Sequence, residues 1–78
     1  INFIKINMDN MEYVDIINEI SEIINVVALN MTSEIKNNND LKFILNDITE
    51  FSKCKPKEHP GISSRTKFKY MDMLEEFK

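Results

Sequence analysis

The clearest feature of the chain is that apolar residues recur every three or four positions along its first half. This spacing is typical of a wide apolar face on an α-helix, and it predicts a helix over residues 10–31. The main row comprises Met11, Val14, Ile17, Ile20, Ile24, Val27 and Met31, and a second row comprises Tyr13, Ile16, Ile23 and Ala28. Because there are two rows, we expect this helix to be buried on more than one side.

The residues before this helix contain a start signal. Asp9 can accept hydrogen bonds from the free amides of the first turn, and Glu12 stands three positions later, as in a capping box. Met8 can pack on Tyr13 across the cap. Residues 1–7 fit either the end of an earlier helix or a short extended segment.

A narrower apolar row predicts a second helix over residues 40–53. The row comprises Leu41, Ile44, Leu45, Ile48 and Phe51. It leaves Lys42, Asn46, Asp47 and Glu50 on the predicted solvent side. Asn39 or Asp40 can cap this helix, and the polar residues 32–39 before it predict a loop.

A third helix is predicted over residues 63–77. Pro56 and Pro60 both disfavour helical geometry in the residue before them, so the segment that precedes this helix is a break. Ser63 or Ser64 can cap the helix. Its apolar residues are Phe68, Tyr70, Met71, Met73, Leu74 and Phe77.

The composition favours helices throughout. One glycine and two prolines among 78 residues provide few of the turns that a sandwich or barrel needs. We therefore predict an all-α class and a single domain over residues 1–78. Successive antiparallel helices with a two-sided first helix suit a HEAT-like stacked array better than a self-contained three-helix bundle, which is the alternative.

Charge divides the chain into an acidic body and a basic segment. Residues 1–52 carry nine acidic and three basic side chains, whereas residues 53–69 carry one acid, Glu58. The bases of that segment are Lys53, Lys55, Lys57, Arg65, Lys67 and Lys69. A phosphate backbone or an acidic partner could contact them, although no aromatic residue lies between Lys53 and Lys67 to stack on a base. A solvated loop is the favoured alternative.

Candidate chemistry is sparse. His59 is the only histidine and Cys54 the only cysteine, and the two lie in the proline-broken segment without a third group to orient them. We therefore expect no metal, no cofactor, no small-molecule substrate and no enzymatic activity. The single cysteine fits a reducing compartment, no apolar run is long enough to span a membrane, and the first residue is isoleucine, so we expect a cytoplasmic piece of a longer protein.

The third predicted helix carries a family resemblance. Within residues 62–77 the chain has two serines, an arginine, a basic residue and a phenylalanine, then an acidic residue and an apolar pair. These residues are Ser63, Ser64, Arg65, Lys67, Phe68, Asp72, Met73 and Leu74. The pattern resembles that of the last helix of the middle domain of eukaryotic translation initiation factor 4G. Thr66 and Lys69 stand where the family has apolar residues.

This resemblance implies a translation initiation scaffold, built from HEAT-like helices, that binds a DEAD-box RNA helicase and contacts RNA. The alternative is a helical-repeat adaptor in RNA decay, nuclear cap binding or poly(A)-binding-protein interaction. Ser63 and Ser64 are expected as caps and Phe68 and Leu74 as core. Arg65 is expected either to pair with Asp47 or Glu50 or to contact the partner. The candidate contact residues are Arg65, Lys67, Lys69, Lys55 and Lys57.

Overall fold

The computed structural model describes residues 2–77, and every regular element within them is helical. Five α-helices follow one another: α1 (Asn2–Asn7), α2 (Val14–Asn30), α3 (Thr32–Asn37), α4 (Lys42–Ser52) and α5 (Ser64–Glu76). Single turns of 3-10 helix, Met11–Tyr13 and Asn39–Leu41, precede α2 and α4. The predicted all-α class is confirmed. Ile1 and Lys78, the ends of the predicted domain, lie outside the described residues.

The core forms where α5 packs against both α4 and α2. Tyr70 of α5 is fully buried, and its ring centroid lies 5.1 Å from that of Phe51 on α4. The buried apolar residues are Ile4, Ile17, Ala28, Ile35, Ile48, Phe51, Cys54, Ile62, Tyr70, Met73 and Phe77. Every helix contributes to this set, so the short helices α1 and α3 are held by burial rather than by their own propensity.

A buried polar layer fixes how α2 sits on α5. The Thr66 hydroxyl donates to Oδ1 of Asn18 at 2.8 Å, and the Tyr70 hydroxyl donates to Oγ of Ser21 at 2.7 Å. Ser21 in turn donates to the carbonyl oxygen of Ile17. These five residues form what we call the α2–α5 seam. A shift of either helix would break the bonds of the Tyr70 hydroxyl and of Asn18 Oδ1, and each buried group left without a partner costs about 1–3 kcal/mol.

Gly61 anchors the segment before α5 to the turn after α1. Its amide donates to the Met8 carbonyl oxygen at 2.7 Å. A Cβ atom at this position would lie 2.6 Å from the carbonyl oxygen of Asn7 and 2.8 Å from that of Met8. Because both neighbours are backbone atoms and cannot easily move, only glycine fits.

The helix caps confirm one prediction and correct another. Ser63 caps α5, since its Oγ accepts from the Thr66 amide at 3.2 Å. At the start of the 3-10 turn before α2, however, the cap is Asn10, whose Oδ1 accepts from the Glu12 amide at 3.0 Å. The prediction of Asp9 as cap is wrong. The extended backbone that a cap requires occurs at Asn10, one residue later.

Residues 32–39 are not the predicted loop, because most of them form α3. Ile35 on this helix is 1% exposed, and its burial stabilises the helical conformation of this polar segment. The segment contains neither glycine nor proline, which would disfavour a helix. The cap of the next 3-10 turn is Asn38, which accepts from the Asp40 amide at 2.9 Å. The expected caps Asn39 and Asp40 lie within that turn.

Asp47 does not face solvent as predicted. Its side chain is 9% exposed, and Oδ1 accepts from the ammonium of Lys5 on α1 at 2.6 Å. This hydrogen bond is the main cause of the raised pKa of Lys5, with the nearby charges of Asp47 and Glu50 acting in the same direction. The sequence pattern could not show that α1 packs on this side of α4.

Candidate protein-binding surfaces

One side of α2 carries a row of four aliphatic residues, three of which are exposed. Ile16, Ile20, Ile23 and Val27 follow one another at spacings of four, three and four, and we call them the outer row. Ile23 is 65% exposed and Val27 is 49% exposed, whereas Ile20 is half-buried. The prediction that α2 is buried on more than one side is therefore wrong. The predicted second row contained Ile16 and Ile23, and apolar spacing alone does not show which side of a helix a neighbour will cover.

The outer row borders a groove of about 170 Å³. One side of the groove is formed by Ile23, Ile24, Val27 and Ala28 of α2 together with Met31, which follows this helix, and the opposite side by Ile35 and Ile44. Ile35 comes from α3 and Ile44 from α4, so the groove exists only because the two helices fold back against α2. Its lining is entirely apolar, and such a lining is stabilised by an apolar side chain from a partner.

Acidic side chains stand beside the groove. Glu19 and Glu22 line a shallow depression together with Val26, and this depression shares Ile23 and Val27 with the groove. From residue 14 to residue 30, α2 carries three acids and no lysine or arginine. The apolar groove thus has a negative rim along one side.

The outer face of α5, which we define as Arg65, Phe68, Met71 and Asp72, is a second exposed surface. Phe68 is 57% exposed and Met71 is 42% exposed. The prediction of Phe68 as a core residue is wrong, because the buried row of α5 runs instead through Thr66, Tyr70, Met73 and Phe77. Leu74 is half-buried and packs against the core. Sequence reasoning missed Phe68 and Met71 as surface residues.

The predicted contact residues do not form one patch. Lys55 and Lys57 are exposed in the segment between α4 and α5, while Lys67 and Lys69 on α5 are half-buried. Lys69 Nζ lies 3.8 Å from Oε1 of Glu22, which ties it loosely to α2. Among these lysines, only Lys55 and Lys57 remain fully open to a partner.

Arg65 is exposed at the start of α5. Within residues 2–77 it forms no ion pair, and Asp47, one of its two expected partners, binds Lys5 instead. The predicted structural pair of Arg65 with Asp47 or Glu50 is therefore wrong. Ser64 is exposed beside Arg65 and is not the cap. The guanidinium is left available to an external acceptor.

His59 and Cys54 each contact other residues of the chain. His59 is half-buried, and its Nδ1 contacts Oδ1 of Asp9. The Cys54 thiol is buried and donates to the Glu50 carbonyl oxygen at 3.5 Å. Burial raises the pKa of the Cys54 thiol, which is the direction opposite to that of an activated cysteine nucleophile.

Within residues 2–77, no helix combines the length and the apolarity that crossing a bilayer requires. Across the same residues, histidine, cysteine, aspartate and glutamate side chains nowhere gather in a group of three or more that could hold a metal ion. No protein-family model, curated protein or solved structure matches the chain.

Proposed function

We propose that the chain is a non-enzymatic scaffold segment of the cytoplasm that binds a DEAD-box RNA helicase of translation initiation through the outer face of α5. The observation that carries the proposal is the exposure of Phe68 on the helix that resembles factor 4G. An exposed phenylalanine gains free energy when a partner covers it, because its apolar surface is removed from water. The helices are proposed to be the end of a HEAT-like array.

The composition of this face supports protein binding. Phe68 and Met71 provide an apolar centre, and Arg65 and Asp72 flank it with opposite charges. Aromatic residues, methionine and arginine are the types enriched at the centres of protein interfaces. Arg65 has no ion pair within residues 2–77, so it can bind a partner carboxylate without first breaking a bond.

A binding assay with the purified helicase tests the proposal. The 78-residue chain is immobilised, and binding of the initiation helicase is compared with that of an unrelated DEAD-box helicase. We expect selective binding, with Phe68→Ala and Arg65→Glu each weakening it about tenfold or more. Phe43→Ala is the matched control, since Phe43 is an equally exposed phenylalanine on α4.

Two outcomes would contradict the proposal. Equal binding of both helicases would show that the contact is not specific, and an equal loss from Phe43→Ala and Phe68→Ala would show that the outer face of α5 is not the site. A single-stranded RNA oligonucleotide is tested in parallel. Tight binding of RNA to the wild-type chain with no helicase binding would replace the protein partner by RNA.

A further inference from the structure

The outer row of α2 has the spacing of a coiled-coil seam. Ile16, Ile20, Ile23 and Val27 alternate steps of four and three residues, which keeps them on one line facing a neighbouring helix. All four are β-branched, so their side chains are already restricted in χ1 and lose little entropy when a partner covers them. The row is therefore built to receive a helix.

The groove beside this row can hold a side chain of a partner. Ile35 and Ile44 stand across from Ile23 and Val27, so a partner side chain that enters between them touches apolar atoms on both sides. An amphipathic helix binds such grooves by placing apolar residues at i, i+3, i+4 and i+7 along them. A flat surface would not select for that arrangement.

The charges beside the groove restrict what can bind there. Asp15 and Glu19 form no ion pair within residues 2–77, and Glu22 has only its distant contact with Lys69. A nucleic acid or an anionic bilayer would be repelled by these three carboxylates. A helix with lysine or arginine beside its apolar seam would be attracted, and its encounter with α2 accelerated.

We propose that the groove along the outer row of α2 binds an amphipathic helix of a partner protein, with an aliphatic seam flanked by lysine or arginine. The seam packs on Ile23, Val27 and Ile44, and the basic residues pair with Glu19 and Glu22. This site is separate from the outer face of α5 and does not depend on the helicase proposal.

The probe is an 18-residue helical peptide with leucine at the seam positions and lysine beside them. Its matched counterpart has glutamate in place of every lysine. Fluorescence anisotropy of each labelled peptide is measured against the 78-residue chain. We expect saturable one-to-one binding of the lysine peptide and about tenfold or weaker binding of the glutamate peptide.

Variants of the chain locate the site. Ile23→Gln should weaken binding of the lysine peptide about tenfold, and Val27→Gln is a second variant of the same kind. Ile6→Gln is the matched control, because Ile6 is an exposed isoleucine on α1. The pair Glu19→Gln and Glu22→Gln should weaken binding and reduce its dependence on salt.

Several results would overturn the proposal: equal affinity for both peptides, no saturable binding, or equal effects of Ile6→Gln and Ile23→Gln. Sedimentation that showed a dimer broken by Ile23→Gln would make the occupant a second copy. Helicase binding is measured on the same variants, and it should be unchanged by Ile23→Gln, so the two proposals fail separately.

Discussion

The two sides of α2 are built from similar residues and have opposite surroundings. Ile16 and Ile17 are neighbours in sequence, yet Ile17 is fully buried in the α2–α5 seam and Ile16 is 46% exposed on the outer row. Within the seam, the hydroxyl groups of Tyr70 and Thr66 on α5 bond to Ser21 and Asn18 on α2. The outer row borders an apolar groove along part of its length.

This difference separates a structural role from a binding role. In the seam, directional hydrogen bonds require one register, so the contact is specific and permanent. The outer row has no hydrogen bond to satisfy and an open apolar surface, so it can be covered or uncovered without leaving polar groups unpaired. Substitutions on the two sides should therefore affect different measurements.

The largest difference is expected between Ile17→Ala and Ile16→Ala. Removal of the buried Ile17 side chain leaves a cavity beside Ser21 and should lower the free energy of unfolding by about 2–5 kcal/mol. Ile16→Ala removes a half-exposed side chain and improves helix propensity, so it should cost less than about 1 kcal/mol. Urea denaturation of both variants measures the difference. Equal losses would mean that the outer row is also core.

A somewhat smaller effect is expected from Gly61→Ala. The added Cβ would overlap the carbonyl oxygens of Asn7 and Met8, so the segment before α5 must move, at a cost of about 1–3 kcal/mol. The seam should weaken because Ser63 and the start of α5 move with that segment. Ser64→Ala, at an exposed neighbouring position, is the control. A Gly61→Ala protein as stable as wild type would contradict the described close contact.

Tyr70→Phe tests the hydrogen bonds of the seam at a smaller scale. The variant removes the bond to Ser21, which keeps its own bond to Ile17, so the expected loss at neutral pH is about 1 kcal/mol. Thermal unfolding at a fixed pH measures it. A loss close to zero would mean that packing alone fixes α2 on α5.

Tyr70→Phe should also change how stability depends on pH. Burial raises the pKa of Tyr70 to about 12, against the opposing effect of its contact with Ser21. In the unfolded chain, the tyrosine loses its proton near pH 10, so ionisation of Tyr70 does not affect the free energy of unfolding below about pH 10. As pH rises from about 10 to about 12, this ionisation favours the unfolded state and lowers the free energy of unfolding by up to about 2–3 kcal/mol. Tyr70→Phe should lack this alkaline loss, and an identical pH profile in both proteins would refute the assignment.

The periodicity of apolar residues predicted the helical class and much of the core. It did not predict which side of each helix is covered by a neighbouring helix. The row Ile44, Leu45, Ile48 and Phe51 does face the core from α4. On α5, by contrast, the buried row includes Thr66, whose hydroxyl bonds to Asn18. Because Thr66 is polar, apolar spacing did not identify it as part of the buried row, and the prediction wrongly placed Phe68 in the core.

The site depends on contacts between distant residues, which a single sequence does not contain. Asp47 is buried and binds Lys5 of α1, and Arg65 forms no ion pair within residues 2–77. Similarly, the groove requires α3, which was predicted as loop. What the sequence did contain was the second apolar row of α2, and only the packing of α3, α4 and α5 decided which part of it stayed open.

The most direct test of the two-sided description of α2 combines stability and binding in one variant, Ile23→Gln. We expect its free energy of unfolding to stay within about 0.5 kcal/mol of wild type, because Ile23 is exposed and glutamine is a good helix former. Its affinity for the lysine peptide should fall about tenfold. A loss of stability above about 2 kcal/mol, or unchanged affinity in a folded variant, would contradict the account.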